Sequence, residues 1–360
     1  MKNLRKEFPI LAQNTYLNTA SSGLLYDSLL DFRQEHDLDF LISGSIFRDP
    51  QATFLSNVRK TIATFFKNSE GDTILTPNFS LGFNTILNGL EKSKKVLLLD
   101  EDYPSINFAV ANKGFKICYA KVNATLEQNI ENAIKKHKPD IFAFSLVQYI
   151  NGIAIDHEFL AFLKNKYPDI LIIADATQFC GTKVFNFDTS GIDIMGCSGY
   201  KWLLGGYGNG FMLFKNNILD NITPSDYKNA ASNTDYDSSY TSLQARFECG
   251  HLDTFNFGSL QYSLNFLTKI GLPNIETHIH ELCDYAKSEL ANLQLLEEDV
   301  IKRSKHSSIF NLKGDHRLFN QLQKDHIITS LRGSGIRISL HFFNTIEDLD
   351  KLFNTLHRYR

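Results

Sequence analysis

Several kinds of protein are set aside by what this chain lacks. No apolar run approaches the roughly eighteen residues that a membrane-spanning helix needs, and the opening MKNLRKEFPILAQ has no long apolar core of a secretory signal. Neither sign of charge is in excess: 37 Lys and Arg face 40 Asp and Glu, a formal net charge of −3. That balance points to neither nucleic acid nor an anionic membrane as a partner. The 11 histidines are scattered, with no H-x-x-x-H or C-x-x-C spacing, so no metal site is expected. The 5 cysteines are odd in number and widely spaced, which reads as reduced thiols in a cytoplasmic protein. No G-x-G-x-x-G follows an early strand, which argues against a dinucleotide-dependent oxidoreductase. Internal repeats, low-complexity tracts and an obvious interdomain linker are also absent.

What the chain does have is length and a regular alternation. Its 360 residues can bury a large core and fill two domains. Helical spacing of apolar residues over 26–42 and 50–67 precedes short apolar runs at 95–100, 116–120, 140–147, 170–174, 192–195 and 211–214. Helix-like segments, such as 106–113 and 125–137, separate the earlier runs. Strands alternating with helices of about ten residues predict βαβ units and a mainly parallel sheet. Helices are expected at 257–270 and 275–293, then a mixed region of short strands and helices to the C-terminus. The stretch 216–243 is polar and aperiodic and reads as a long surface loop.

Residues 170–214 gather the groups that could carry chemistry. One apolar run ends in Asp175, with Thr177 and Gln178 beyond it; another leads into Ser198-Gly199-Tyr200-Lys201-Trp202 and a glycine-rich turn. Buried strands deliver polar groups to one rim of an α/β sheet, which is where such sheets bind ligands. An acid and a lysine on neighbouring strand ends suit a cofactor with an anchored ring and a covalent amine. Upstream, Asn78 or Ser80 is placed to cap a helix, and free N–H groups at a helix start suit a phosphate.

The Asp175-x-x-Gln178 pair and Ser198-x-x-Lys201 with its glycine-rich turn resemble the cofactor-binding core of the class V aminotransferase family. Arg246-Phe247-Glu248-x-Gly250 and Arg337-x-Ser339 with Asn344-Thr345 extend the resemblance over nearly the whole chain. That family includes cysteine desulfurases and isopenicillin-N-epimerase-like proteins. The resemblance implies an α/β fold of the pyridoxal-phosphate (PLP) fold type I. Its large domain, residues 16–255, would hold a seven-stranded-type, mainly parallel sheet flanked by helices. A smaller α+β C-terminal domain would comprise residues 256–360 together with 1–15. The implied cofactor is pyridoxal 5'-phosphate, the implied substrate an amino acid, and the implied assembly a homodimer with a shared active site.

By the same resemblance Lys201 carries the cofactor as an aldimine and moves the proton at Cα through a carbanion, and Asp175 keeps the pyridine nitrogen protonated. Gln178 bonds the phenolic oxygen and Tyr103 covers a ring face. Ser198 and the helix end at Phe79 and Ser80 hold the phosphate. Tyr200 replaces the family's usual histidine, and His251 stands where a threonine reaches the neighbouring subunit's phosphate. Gln148 is the choice for a contact to the phenolic oxygen or substrate, with Tyr149 and Asn151 as alternatives. Asn18 and Ala20 line the substrate side, Arg337 binds the α-carboxylate, and Arg332 is a second basic candidate. The reaction implied is transamination, epimerisation or C–S lysis. A thiolate on a loop shortly before the terminal arginine motif would be needed for a cysteine desulfurase, and no cysteine follows Cys283. The alternative is a non-catalytic relative that keeps the fold as a binding or dimer module.

Overall fold

The computed structural model describes residues 2–216, 218 and 243–359. In chain order the strands are β1 (Thr15–Tyr16), β2 (Asp72–Thr76), β3 (Lys95–Leu99), β4 (Lys116–Ala120), β5 (Ile141–Ser145), β6 (Leu171–Asp175), β7 (Ile194–Ser198) and β8 (Gly210–Phe214). The C-terminal part adds β9 (Ile309–Leu312), β10 (Ile327–Ile328), β11 (Ser330–Arg332) and β12 (Gly335–Ser339). The helices are α1 (Asp27–Ser43), α2 (Gln51–Phe66), α3 (Phe79–Asn88), α4 (Pro104–Ala111), α5 (Leu126–His137) and α6 (His157–Lys166). After them come α7 (Leu243–Phe247), α8 (Thr254–Ile270), α9 (Leu272–Asn292), α10 (Glu298–Lys302), α11 (His316–Lys324) and α12 (Ile346–Tyr359).

Seven strands form one sheet in the order β2-β8-β7-β6-β5-β3-β4. Strands β4, β3, β5, β6 and β7 run parallel, and β8 lies antiparallel between β7 and β2. Every residue of β5, β7 and β8 is buried, as a sheet covered on both faces requires. Each fully buried Ile, Leu or Phe there contributes roughly 1.5–3 kcal/mol over the exposed state. The crossover helices follow their sequence patterns. In α5, Leu126, Ile130, Ala133 and Ile134 face the core, with Glu127 in the first turn and Lys135, Lys136 and His137 in the last. That charge order complements the helix dipole.

A second sheet, β11-β12-β9, is antiparallel, and β1 pairs in parallel with β10 beside it. The N-terminal segment continues along β12 through the Asn18–Ser339 bridge, so residues far apart in sequence meet at the junction of the sheets. Several elements escaped the sequence pattern. Strand β2 has only two apolar residues of its five, α6 buries just Leu160 and Leu163, and α7 and α10 span five residues each. Apart from residues 216, 218 and 243, the expected loop over 216–243 lies outside the described residues. No helix among the described residues is long and apolar enough to cross a membrane, and no group of three His, Cys, Asp or Glu among them is placed to hold a metal ion.

Candidate active site

The carboxyl ends of β5, β6 and β7 open into a cavity of about 450 Å³, within the range of small-molecule sites. Asp175 ends β6 and Ser198 ends β7, so two neighbouring strands bring the acid and the approach to Lys201 onto one rim. Both Asp175 and Lys201 are buried. Burial pushes the Lys201 ammonium down to about 8, against the opposing attraction of Asp175. Burial also raises the Asp175 carboxyl, while hydrogen bonding from Thr177 and the charge of Lys201 hold it back. Thr177 fixes this corner twice: its N–H donates to Asp175 Oδ1 at 2.8 Å, and its Oγ1 accepts the Ser198 N–H at 3.1 Å.

A helix start meets the strand ends opposite. Asn78 caps α3 by accepting the Leu81 N–H at 3.0 Å, and the Phe79 N–H donates to Ser198 Oγ at 2.9 Å. Ser80 donates its hydroxyl to Ser105 Oγ at 2.7 Å. Gly196 makes this approach possible, since a Cβ there would come within 2.7 Å of Phe79 Cδ2 and 2.3 Å of Met212 Sδ. Tyrosines form the remaining walls. Lys201 Nζ lies 5.7 Å from the Tyr103 ring centroid and 5.4 Å from that of Tyr200. Tyr103 packs edge-on against Tyr149 at 5.0 Å, and Tyr200 stacks on Tyr207 at 4.9 Å with 19° between planes. Asp102, whose carboxyl burial raises to about 6, anchors Tyr103 and Ser145 by accepting both backbone N–H groups.

A family model for aminotransferase class V matches residues 47–352. The chain belongs to the class V aminotransferase family. It is a PLP-dependent enzyme, and PLP is its cofactor. A probable cysteine desulfurase of Ureaplasma parvum is 23% identical, the match covering 100% of this chain and 98% of that protein. An uncharacterized aminotransferase, YcbU of Bacillus subtilis, is 20% identical over 96% of this chain and 94% of its own. Among solved structures, the apo cysteine desulfurase of Thermococcus onnurineus superposes with a TM-score of 0.84 at 19% identity, covering 99% and 97% of the two chains. The cystine C–S lyase C-DES, in complex with its reaction product cysteine persulfide, superposes with a TM-score of 0.83 at 19% identity, covering 97% and 98%. These structures establish fold type I for the chain.

Of the residues singled out in the sequence, Phe79, Ser80, Tyr103, Asp175, Gln178, Ser198, Tyr200 and Lys201 line the cavity. Gln148 does not. Its side chain turns away and donates to Glu101 O at 2.8 Å, because β5 ends at Ser145 and the alternating direction past it gives the wall to Val147 and Tyr149. His251 is exposed and lies off the cavity. Arg337 stands just behind the lining, donating to Tyr149 O at 2.7 Å, and burial lowers its guanidinium to about 10. Asn18 and Ala20 also sit behind the wall, where the Ala20 N–H donates to Ser339 Oγ at 2.9 Å. Arg332 is exposed on β11. Thr177, Asp102 and Tyr207 were not assigned site roles from sequence. For Asp102 the available signal was its place before Tyr103-Pro104, where Pro104 opens α4.

Proposed function

We propose that this member of the class V aminotransferase family is an amino-acid C–S lyase, cleaving a β-carbon–sulfur bond without a thiol of its own. One observation carries this reading: among the described residues no cysteine lines the cavity, and Lys201 is the one amine in its wall. Cys118, Cys180 and Cys197 are buried, Cys249 is exposed, Cys283 is partly buried, and the β11–β12 hairpin contains no cysteine. This chain therefore places no thiol of its own in the cavity wall to take the sulfur as a persulfide. The fold match to a cystine C–S lyase supports the same reading.

The residues present fit PLP by the chemistry of their donors. A buried lysine that gives up its proton near pH 8 can attach an aldehyde, and a buried carboxylate can face a protonated ring nitrogen. The α3 start with Ser198 would hold the phosphate, Tyr103 would cover a ring face, and Gln178 would bond the ring oxygen. When bound, the cofactor supplies an electron sink for the pair released at Cα. Lys201 then takes the Cα proton, and Arg337 fixes the substrate carboxylate with its planar fork. Overall, R–S–CH2–CH(NH3+)–COO− and water give R–SH, pyruvate and ammonium.

The test is to supply the PLP-loaded protein with cystine and cysteine and to assay pyruvate, ammonium and alanine. Pyruvate and ammonium in equal amounts, with no added 2-oxo acid, are expected. Alanine as product would indicate desulfuration, and dependence on an added 2-oxo acid would indicate transamination. We further read the chain as a cytoplasmic homodimer, with residues 16–255 forming the large domain and 256–360 with 1–15 the small one. In that reading the exposed Gly250-His251 pair reaches the partner's site, and sedimentation of the purified protein tests the dimer.

A further inference from the structure

The chain contains a single tryptophan, Trp202, next to Lys201 and buried. Its indole Nε1–H donates to Gln178 Oε1 at 2.9 Å, and Gln178 Nε2 donates to Ala20 O at 3.0 Å. These two partners decide the amide's orientation. An indole N–H can only donate and a carbonyl can only accept, so Oε1 must face Trp202 and Nε2 must face Ala20. Gln178 lines the cavity, and with one Nε2 hydrogen spent on Ala20 its amide keeps a second N–H to offer a ligand. A flipped amide would set donor against donor at Trp202 and oxygen against oxygen at Ala20.

The same contacts close a circuit through the small sheet. Ala20 N–H donates to Ser339 Oγ at 2.9 Å, and His341 Nε2 lies 3.0 Å from Trp202 O. Since Trp202 O can only accept, His341 carries its proton on Nε2, and its buried Nδ1 has no partner among the described residues. Ser339 and His341 lie two and four residues beyond Arg337. The circuit runs from β12 through Ala20, Gln178 and Trp202 back to His341.

We propose that Trp202 is a positioning residue that fixes Gln178 as a hydrogen-bond donor toward the cofactor's ring oxygen. The proposal rests on the reading of this cavity as the PLP site. A donor at that oxygen favours its anionic form, so losing the donor raises the pH at which the bound cofactor's visible band changes. The experiment titrates that band in the wild type, Gln178→Leu, Trp202→Phe and the double variant. Gln178→Leu is expected to raise the midpoint by about 0.5–1 pH unit, the size of one hydrogen bond. Trp202→Phe is expected to raise it in the same direction, and the double variant to match Gln178→Leu alone. An unmoved midpoint in Trp202→Phe beside a shifted one in Gln178→Leu would overturn the proposal, as would additive shifts. Absence of any visible band, or indifference to Gln178→Leu, would instead sink the underlying reading. Should Trp202→Phe not fold, the indole N–H resonance of 15N-labelled protein carries the test. It is expected to move on PLP addition in the wild type and to stay in place in Gln178→Leu; a resonance unmoved in the wild type, or equally moved in both, overturns the proposal.

Discussion

At the β6–β7 end of the cavity the polar side chains are gripped from several directions, whereas Arg337 at the β12 end is gripped from few. Thr177, Ser198, Phe79 and Asp175 hold one another in a continuous set of hydrogen bonds, and Trp202 and Ala20 hold both ends of Gln178. Arg337 instead leans on one backbone carbonyl, and the buried Oδ1 of Asn18, which bridges to Ser339 two residues on, has no partner among the described residues. A cofactor is a fixed shape that repays a rigid cradle. A substrate must enter and leave, and a guanidinium with unspent donors is available to a carboxylate. The difference teaches that the two ends should fail differently when disturbed.

The largest break is at the pivot between them. Lys201→Ala removes both the covalent anchor and the base, and base catalysis alone is worth about 10²–10⁴-fold. Turnover should fall by more than that while the fold survives, as circular dichroism would report; unchanged turnover would discard the mechanism. Arg337→Ala disturbs the loosely held end. A charge-assisted pair is worth about 1.5–3 kcal/mol, so KM should rise roughly 10- to 100-fold with cofactor affinity unchanged. Weakened PLP binding in that variant would show that the two ends are not separate.

Acidity sharpens the comparison further. Burial lowers the Lys201 pKa from its ordinary 10.5 to about 8, so the neutral amine becomes available at lower pH. The rate at which cofactor-free protein takes up PLP should rise with pH and level off above about 8. A rate still rising tenfold per unit at pH 10 would show an unperturbed lysine. The sign for stability agrees: between pH 8 and 10.5 the unfolded chain binds the extra proton, so folding of the cofactor-free protein is favoured as pH rises there. The smallest effect is expected from Ser198→Ala, which removes the acceptor for the Phe79 N–H. The gripped end retains its other contacts, so PLP affinity should drop only by the worth of one hydrogen bond, about 1 kcal/mol or roughly fivefold.

The gripped end was also the more legible one. Asp175, Gln178, Ser198 and Lys201 fall within one stretch of sequence, on strand ends that apolar runs locate directly, and all four meet at the cavity. The alternation of strands and helices likewise disclosed the mainly parallel sheet. The loosely held end is assembled from residues near 18, 149 and 337, joined only when β1 and the segment after it pair with β10 and β12. No local pattern carries such a pairing. Gln148 shows the cost of a small offset, since beyond the end of β5 each step along the chain changes which side chain reaches the cavity. Nothing local marks Trp202, because its indole partner is 24 positions away and the matching Ala20 carbonyl 158 away from Gln178.

The most direct test of the central claim is the visible spectrum of the purified protein before and after borohydride, with mass spectrometry locating any reduced adduct. A yellow band that borohydride removes, leaving a phosphopyridoxyl mass on Lys201, is the predicted result. A protein that stays colourless after PLP is added, or an adduct on another lysine, would contradict the account.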